Sequence, residues 1–213
     1  MHPLLKFQQT QKFFDGKPVL LIPSQMLDKG IYWLQGPNGS GKTTLLRMIA
    51  GILPFQGDIV LLGRSQRKDP AGYRRLVGWA DAEPLYPAFL TGEDLIGFYT
   101  GILHPDPRQV QELMQRLEVQ GWINTRVGSW SSGMIKKLAL VLAFLSQPVL
   151  ITLDEPLITL DAAGTRTLIA LINEYHYDYG TSFLVTSHQQ FAADQLTGTR
   201  LLLVKDKSIQ LID

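Results

Sequence analysis

The feature that most constrains the fold of this chain is a glycine-rich run between two apolar patterns of different period. Residues 36–44 read GPNGSGKTT and fit the pattern G-x-x-x-x-G-K-[ST], in which backbone N–H groups surround a phosphate. The preceding run 30–35 (GIYWLQ) is rich in β-formers, and Leu45, Leu46 and Ile49 follow the loop at helical spacing. Strand, glycine loop and helix in this order predict an α/β fold that binds a nucleotide by its phosphates.

The residue types in this phosphate loop (36–44) suit contacts with phosphate and with its metal ion. The glycines let the backbone fold back so that its N–H groups point inward, and the following helix adds its positive N-terminal end. Lys42 is expected to reach the β- and γ-phosphates, and the Thr43 hydroxyl is expected to bind Mg²⁺. The predicted nucleotide-binding residues of the loop are Gly36, Asn38, Gly39, Ser40, Gly41, Lys42, Thr43 and Thr44.

A second candidate site lies in the run 149–156, which reads VLITLDEP. The run predicts a buried strand that delivers Asp154 to its carboxyl end, where open α/β sheets bind their ligands. Asp154 is expected to help hold Mg²⁺, and Glu155 is placed to act as the general base toward an attacking water. With the phosphate loop, these residues leave a nucleotide kinase, a switch GTPase and a motor ATPase open.

Composition narrows the class of protein without choosing among these enzymes. The net charge of +1 gives no electrostatic reason to expect a nucleic-acid partner, and the absence of cysteine excludes disulfides and thiolate metal sites. The most apolar tract, 138–153, is interrupted by Ser146, Gln147 and Pro148, so it is too short and too broken to span a bilayer. No signal peptide is visible at the N-terminus.

The order of the predicted elements gives the fold class. Strand patterns at 57–63, 148–153 and 181–187 alternate with helical patterns, and the last residues read as a hairpin around 205–208. We therefore predict an α/β protein, a P-loop NTPase core of mixed sheet and helices with an inserted α-helical subdomain. The nucleotide-binding core is assigned to 1–84 and 148–213, and the helical subdomain to 85–147.

The run WSSGM at 130–134, here called the signature segment, decides among the open alternatives. Ser131 lies 23 positions before Asp154, which is similar to the spacing between the L-S-G-G-Q motif and the acidic strand of ATP-binding cassette proteins. The sequence TLD at 159–161 matches the D-loop of that family, and VTSH ends at His188, which matches its switch histidine. The chain resembles the nucleotide-binding subunit of an ABC transporter over nearly its whole length.

The resemblance implies that the nucleotide is ATP, the metal ion Mg²⁺ and the reaction ATP hydrolysis. It implies catalytic roles for Lys42, Glu155 and His188, with the imidazole sensing the γ-phosphate. It also implies that adenine stacks on an aromatic ring upstream of the phosphate loop. Of the neighbouring pair Phe13 and Phe14, the spacing favours Phe14.

The signature segment is expected to act on a second copy of the chain. A serine at a helix start offers a hydroxyl, backbone N–H groups and the helix dipole to an anion, and in the family that anion is the γ-phosphate bound by the other protomer. The resemblance assigns Ser131, Gly133 and Asp161 to such contacts in trans. They are completed when two copies meet head to tail, as a homodimer or as a heterodimer with a related ATPase.

The sequence departs from the family pattern in two places. Three residues of the signature segment differ from the common motif: Trp130, Ser132 and Met134. The run 78–91, here called the coupling loop, supplies a glutamine to Mg²⁺ in the family and links the site to the membrane subunit. Ala82 stands at that position here, and alanine has no ligand atom. Either Glu83 takes over, or the loop acts by its position alone.

The expected protein is the ATPase subunit of an ABC transporter, bound peripherally on the cytoplasmic face of the cell membrane by a separate multi-span permease. Its compact length looks more like an exporter-type subunit than a sugar importer's. The alternative is a soluble ABC ATPase acting on nucleic acid or ribosomes, although such proteins generally carry two cassettes, a long coiled-coil insert or a basic tail. We expect no nucleic-acid partner. A P-loop kinase would have no use for the signature segment or for His188.

Overall fold

The computed structural model describes residues 3–187, 196 and 198–212. The strands within these residues form one sheet of six and one of four, and this mixed architecture confirms the predicted α/β class. In chain order the elements are β1 (Leu5–Phe14), β2 (Lys17–Leu27), β3 (Ile31–Gln35), α1 (Lys42–Ile49), β4 (Gln56–Leu61), β5 (Arg64–Ser65), α2 (Pro70–Arg74), β6 (Val77–Ala80), α3 (Gly92–Leu103), α4 (Pro107–Arg116), α5 (Ser132–Phe144), β7 (Leu150–Leu153), α6 (Ala162–Tyr177), β8 (Ser182–Thr186), β9 (Arg200–Lys205) and β10 (Ser208–Ile212).

The six-stranded sheet has the order β10-β9-β3-β8-β7-β6. Its strands pair in parallel from β9 to β6, and β10 pairs antiparallel with β9 at the edge. Every residue of β7 and β8 is buried, as expected for parallel strands that are covered on both faces. Because parallel strands end at the same edge of a sheet, the segments that follow β3, β6, β7 and β8 lie side by side.

The four-stranded sheet has the order β2-β1-β4-β5 and is antiparallel throughout. It brings Phe14, the last residue of β1, toward the phosphate loop. Sequence patterns predict β4 but not β1 or β2. The reason is visible in β1 (LKFQQTQKFF), where apolar and polar residues do not alternate strictly and the pairing shifts register between Lys12 and Phe13.

Helices α3, α4 and α5 lie in the stretch assigned to the helical subdomain. Side chains cap the start of each: Thr91 for α3, Asp106 for α4 and Ser131 for α5. Helix α5 is buried continuously from 138 to 144 and packs against β6 and β7, so it joins this stretch to the six-stranded sheet. The subdomain boundaries stay a prediction. No helix in the described parts of the chain is both long and apolar enough to cross a membrane.

Candidate nucleotide-binding site

The phosphate loop connects β3 to α1 and bends where its glycines lie. Gly36, Gly39 and Gly41 all have positive φ angles, of 156°, 77° and 103°. At Gly36 the neighbouring chain also excludes a side chain, since a Cβ there would lie 2.4 Å from the carbonyl oxygen of Val204. The tight path of the loop therefore depends on glycine both for its dihedral angles and for space.

The start of α1 carries the groups that a phosphate needs. Gly41 is the N-cap residue and no side chain caps the helix, so its first N–H groups face the cleft without a competing side-chain acceptor. The ammonium group of Lys42 folds back over the loop and donates to the carbonyl oxygens of Gly36 at 2.8 Å and of Pro37 at 3.2 Å. A bound phosphate would compete for the same ammonium hydrogens.

Asp154 lies one residue beyond β7 and is 1% exposed. Its Oδ1 atom accepts a hydrogen bond from the Thr186 hydroxyl at 2.7 Å, whereas its Oδ2 atom is buried and has no hydrogen-bond partner among the described residues. A buried carboxylate oxygen without a donor is costly unless a cation or water completes it. Oxygen ligands of this kind suit Mg²⁺, so Asp154 and Thr43 fit the predicted metal site.

Glu155 follows immediately and is 8% exposed. Its φ angle of 45° lies in the left-handed region, which turns the chain sharply after Asp154. The Glu155 backbone N–H donates to the Thr186 hydroxyl at 2.8 Å. Thr186, at the end of β8, therefore holds both acidic residues through one oxygen. Sequence reasoning missed this role; the signal is the threonine of VTSH, at the end of an apolar strand.

The cleft between the phosphate loop and the end of β7 brings most of the predicted nucleotide-binding residues together. Phe14 is 46% exposed there, with the Lys12 ammonium 4.7 Å from its ring centroid; Phe13 is not among the lining residues. Gly36 and Ser40 lie in the loop without lining the cleft. The lining residues are Phe14, Val19, Asn38, Gly39, Gly41, Lys42, Thr43, Thr44, Asp154 and Glu155.

The residues predicted to act in trans lie apart from this cleft. The Ser131 hydroxyl caps α5 by accepting from the Met134 N–H at 3.2 Å. Asp161 caps α6 by accepting from the Gly164 N–H at 2.6 Å, and this hydrogen bond lowers the pKa of Asp161. A Cβ at Gly133 would lie 3.0 Å from the Thr159 carbonyl oxygen. The signature segment and the D-loop segment 159–161 are thus neighbours in one chain.

The coupling loop places Ala82 and Glu83 just after β6. The Asp81 carboxylate beside them forms two hydrogen bonds of 3.1 Å with the Arg47 guanidinium of α1. Glu83 is exposed and does not line the cleft. This placement favours the alternative in which the loop acts by position. His188, the predicted switch residue, lies outside the described residues.

A phosphate loop that faces a buried aspartate and a glutamate at the end of another strand of the same sheet defines a P-loop nucleotide-binding protein. Comparison with known proteins narrows the class. The ABC transporter family matches residues 25–158. The chain is also 32% identical over 209 residues to the ABC transporter ATP-binding protein YtrB of Bacillus subtilis (strain 168). The aligned region covers 97% of this chain and 70% of that relative. The chain belongs to the ABC transporter family, as one of its ATP-binding subunits.

Two further comparisons give the extent of the likeness. The spermidine/putrescine import ATP-binding protein PotA of Spiroplasma citri is 28% identical over 215 residues, and this chain spans 98% of its own length but 61% of that relative. A solved structure titled "Structure of ATP binding subunit of ABC transporter" superposes with a TM-score of 0.86 at 22% identity, over 99% of this chain and 90% of the other. The second likeness confirms the fold.

Proposed function

We propose that this chain binds and hydrolyses ATP and uses the cycle to drive a separate membrane subunit. The observation that carries the proposal is the Asp154 carboxylate, which is buried across the cleft from the phosphate loop with its Oδ2 atom unpartnered among the described residues. An ordinary strand end does not keep a carboxylate in this state. A cation held on a phosphate would complete it.

The chain's own residues divide the work of binding and hydrolysis. The backbone of the phosphate loop and the Lys42 ammonium bind the phosphates, while Phe14 offers a ring face to adenine. Thr43 and Asp154 would hold Mg²⁺, which supplies neutralising charge at the phosphates when bound. Glu155 accepts the proton of the attacking water. The Thr186 hydroxyl holds the Asp154 carboxylate and the Glu155 main chain in position.

The trans half of the site is proposed to come from a second copy. Ser131 and Asp161 are exposed, and Gly133 lies beside the Thr159 carbonyl oxygen of the D-loop segment. Docked head to tail, this surface would close the cleft of the partner over its γ-phosphate, and hydrolysis would reopen the dimer. The proposal takes the second copy to be identical to the first, so the assembly is a homodimer.

The surface for a membrane partner is proposed to lie on the coupling loop and α3. Leu85 is 93% exposed, Phe89 73% and Phe98 65%. Large apolar side chains exposed in neighbouring segments commonly mark a contact with another protein. A multi-span permease docked here would hold the chain on the cytoplasmic face of the membrane and receive the movement that ATP drives.

Glu155→Gln tests the proposal most simply. The amide cannot accept the proton, so we expect ATP hydrolysis to fall by about 100-fold or more, while ATP binding by calorimetry is kept and ATP traps a dimer in light scattering. Glu112→Gln, an exposed change in α4, is the matched control. Wild-type turnover in Glu155→Gln would refute the assignment of the base. A wild type with no ATPase activity, alone or with its membrane partner, would refute the function.

A further inference from the structure

Lys136 is a lysine in an unusual place, because its side chain is 1% exposed in the interior. It belongs to α5, the helix that begins at the signature segment, and it follows the N-cap residue Ser131 by five positions. Burying an ammonium group is costly unless acceptors surround it. A buried lysine therefore requires hydrogen-bond acceptors around its ammonium group.

Close packing of α5 on β6 explains how Lys136 reaches its position. A Cβ at Gly78 would lie 2.0 Å from the Ala143 carbonyl oxygen, so the helix backbone rests directly on the strand and a larger residue than glycine would push it away. With the helix this close, Lys136 extends to the carboxyl ends of β6 and β7. These are the strand ends that carry the coupling loop and the acidic pair.

The Lys136 ammonium donates to three backbone carbonyl oxygens: Asp81 at 2.8 Å, Ala82 at 2.6 Å and Glu155 at 3.4 Å. The Asp154 N–H donates to the Ala80 carbonyl oxygen at 2.9 Å. Beyond this hydrogen bond, the segments that follow β6 and β7 separate. An ammonium group can donate three hydrogen bonds and cannot accept any. It can therefore satisfy the three carbonyl oxygens that lie where the two segments separate.

Charge supports the same arrangement. Burial lowers the pKa of Lys136 to about 8, and four neighbouring carboxylates oppose the shift, those of Asp154, Asp81, Glu155 and Glu83. The group thus stays protonated at neutral pH. A second link completes the junction, because the Asp81 carboxylate binds Arg47 of α1. Asp81 is therefore attached by its side chain to the helix of the phosphate loop and by its carbonyl to the helix of the signature segment.

We propose that Lys136 is a positioning residue that holds Glu155 and the start of the coupling loop in one fixed arrangement with the signature helix α5. This inference rests on the proposed ATPase function. The ammonium group binds the main chain at Ala82, so this link does not depend on the side chain at that position. Movement of the coupling loop then reaches Glu155 through one ammonium group.

The test compares Lys136→Met with Lys136→Arg and with the control Lys137→Met in the full chain. Methionine fills the space without donors, whereas arginine restores them. Lys137, the next residue, instead pairs with Glu118 at the surface, at 2.8 Å. We expect Lys136→Met to lower kcat about tenfold or more with KM changed about twofold or less, because it removes charge-assisted hydrogen bonds behind Glu155 and leaves the phosphate loop intact. Lys136→Arg should recover much of kcat, and Lys137→Met should match wild type.

Hydrogen exchange gives a readout that does not depend on turnover. In Lys136→Met, peptides covering 79–90 and 154–158 should exchange about tenfold faster or more, while a peptide covering α1 should exchange at the wild-type rate. Uniformly faster exchange, or a kcat equal to that of wild type, would overturn the positioning role. If Lys136→Met does not fold, Lys136→Arg decides: wild-type protection of both peptides supports the proposal, and lost protection with wild-type kcat overturns it. Failure of wild-type ATPase would instead refute the function, while the exchange result would still stand.

Discussion

The two halves of the proposed ATP site are built in opposite ways within one chain. The cis half, around the phosphate loop and Asp154, is formed by buried strand ends, and Thr186 ties its acidic residues together at 2.7 and 2.8 Å. The trans half, around Ser131 and Asp161, is exposed, and its side-chain oxygens cap helices of their own chain. The first half is shaped by the core, whereas the second is displayed on the surface.

The two halves also differ in what each can do in a single chain. The buried Asp154 carboxylate has an oxygen without a hydrogen-bond partner among the described residues, and such an oxygen can accept a cation, so we expect the cis half to bind nucleotide in a single chain. The helix starts of the trans half already have side-chain caps, and they can stabilise an anion such as a γ-phosphate only when another protomer presents it to them. We therefore expect the trans half to contribute after a second copy has docked.

The largest effect that sharpens the comparison is expected from Thr186→Val in the cis half. The change keeps the shape but leaves the Asp154 Oδ1 atom and the Glu155 N–H without their shared partner, at a cost of about 1–3 kcal/mol in the free energy of unfolding. Because both acidic residues lose their orientation, we expect kcat to fall about tenfold or more. Denaturant unfolding and steady-state ATPase assays measure the two effects.

Thr181→Val is the matched control for this change. Thr181 is also buried beside β8, but at its other end, where its hydroxyl donates to the Pro148 oxygen at 2.8 Å. We expect a similar loss of stability, about 1–3 kcal/mol, with kcat unchanged. Equal losses of kcat in both variants would mean that the effect comes from general destabilisation and that Thr186 does not position the acidic pair.

A smaller effect is expected from Ser131→Ala in the trans half. The change removes a helix cap and should cost about 1 kcal/mol of stability. Asp106→Ala removes the cap of α4 and should cost about the same. Only Ser131→Ala should also slow ATP hydrolysis, by about threefold, which corresponds to less than one hydrogen bond to a charged group. ATP affinity of the single chain should stay unchanged in both; equal ATPase rates would contradict the trans role.

Sequence patterns anticipated the parts of the molecule that local chemistry determines. The phosphate loop, the apolar strand before Asp154 and the capped start of α5 each occupy consecutive residues, so their motifs can be read directly. The hairpin of β9 and β10 can be predicted from the sequence equally well, since two apolar runs flank Asp206 and Lys207. The phosphate loop and the strand before Asp154 place most of the predicted nucleotide-binding residues around one cleft.

Contacts between distant segments could not be predicted in the same way. Thr186 and Lys136 are separated from the residues they hold by 31 and 55 positions, counted to Glu155 and Asp81. Nothing in the run WSSGMIKK distinguishes the buried Lys136 from the more exposed Lys137. Helical position and the absence of a side chain at Gly78 decide which lysine points inward, and both become visible when α5 is seen on β6.

One mixing experiment tests most directly the central claim, that each active site combines halves from two copies. Glu155→Gln lacks the base of the cis half, and Ser131→Glu places negative charge where the trans half must meet phosphate; each alone should be nearly inactive. Mixed in equal amounts before ATP is added, they should form heterodimers with one intact site and recover about one quarter of the wild-type ATPase rate. A mixture no more active than its two components would contradict the claim.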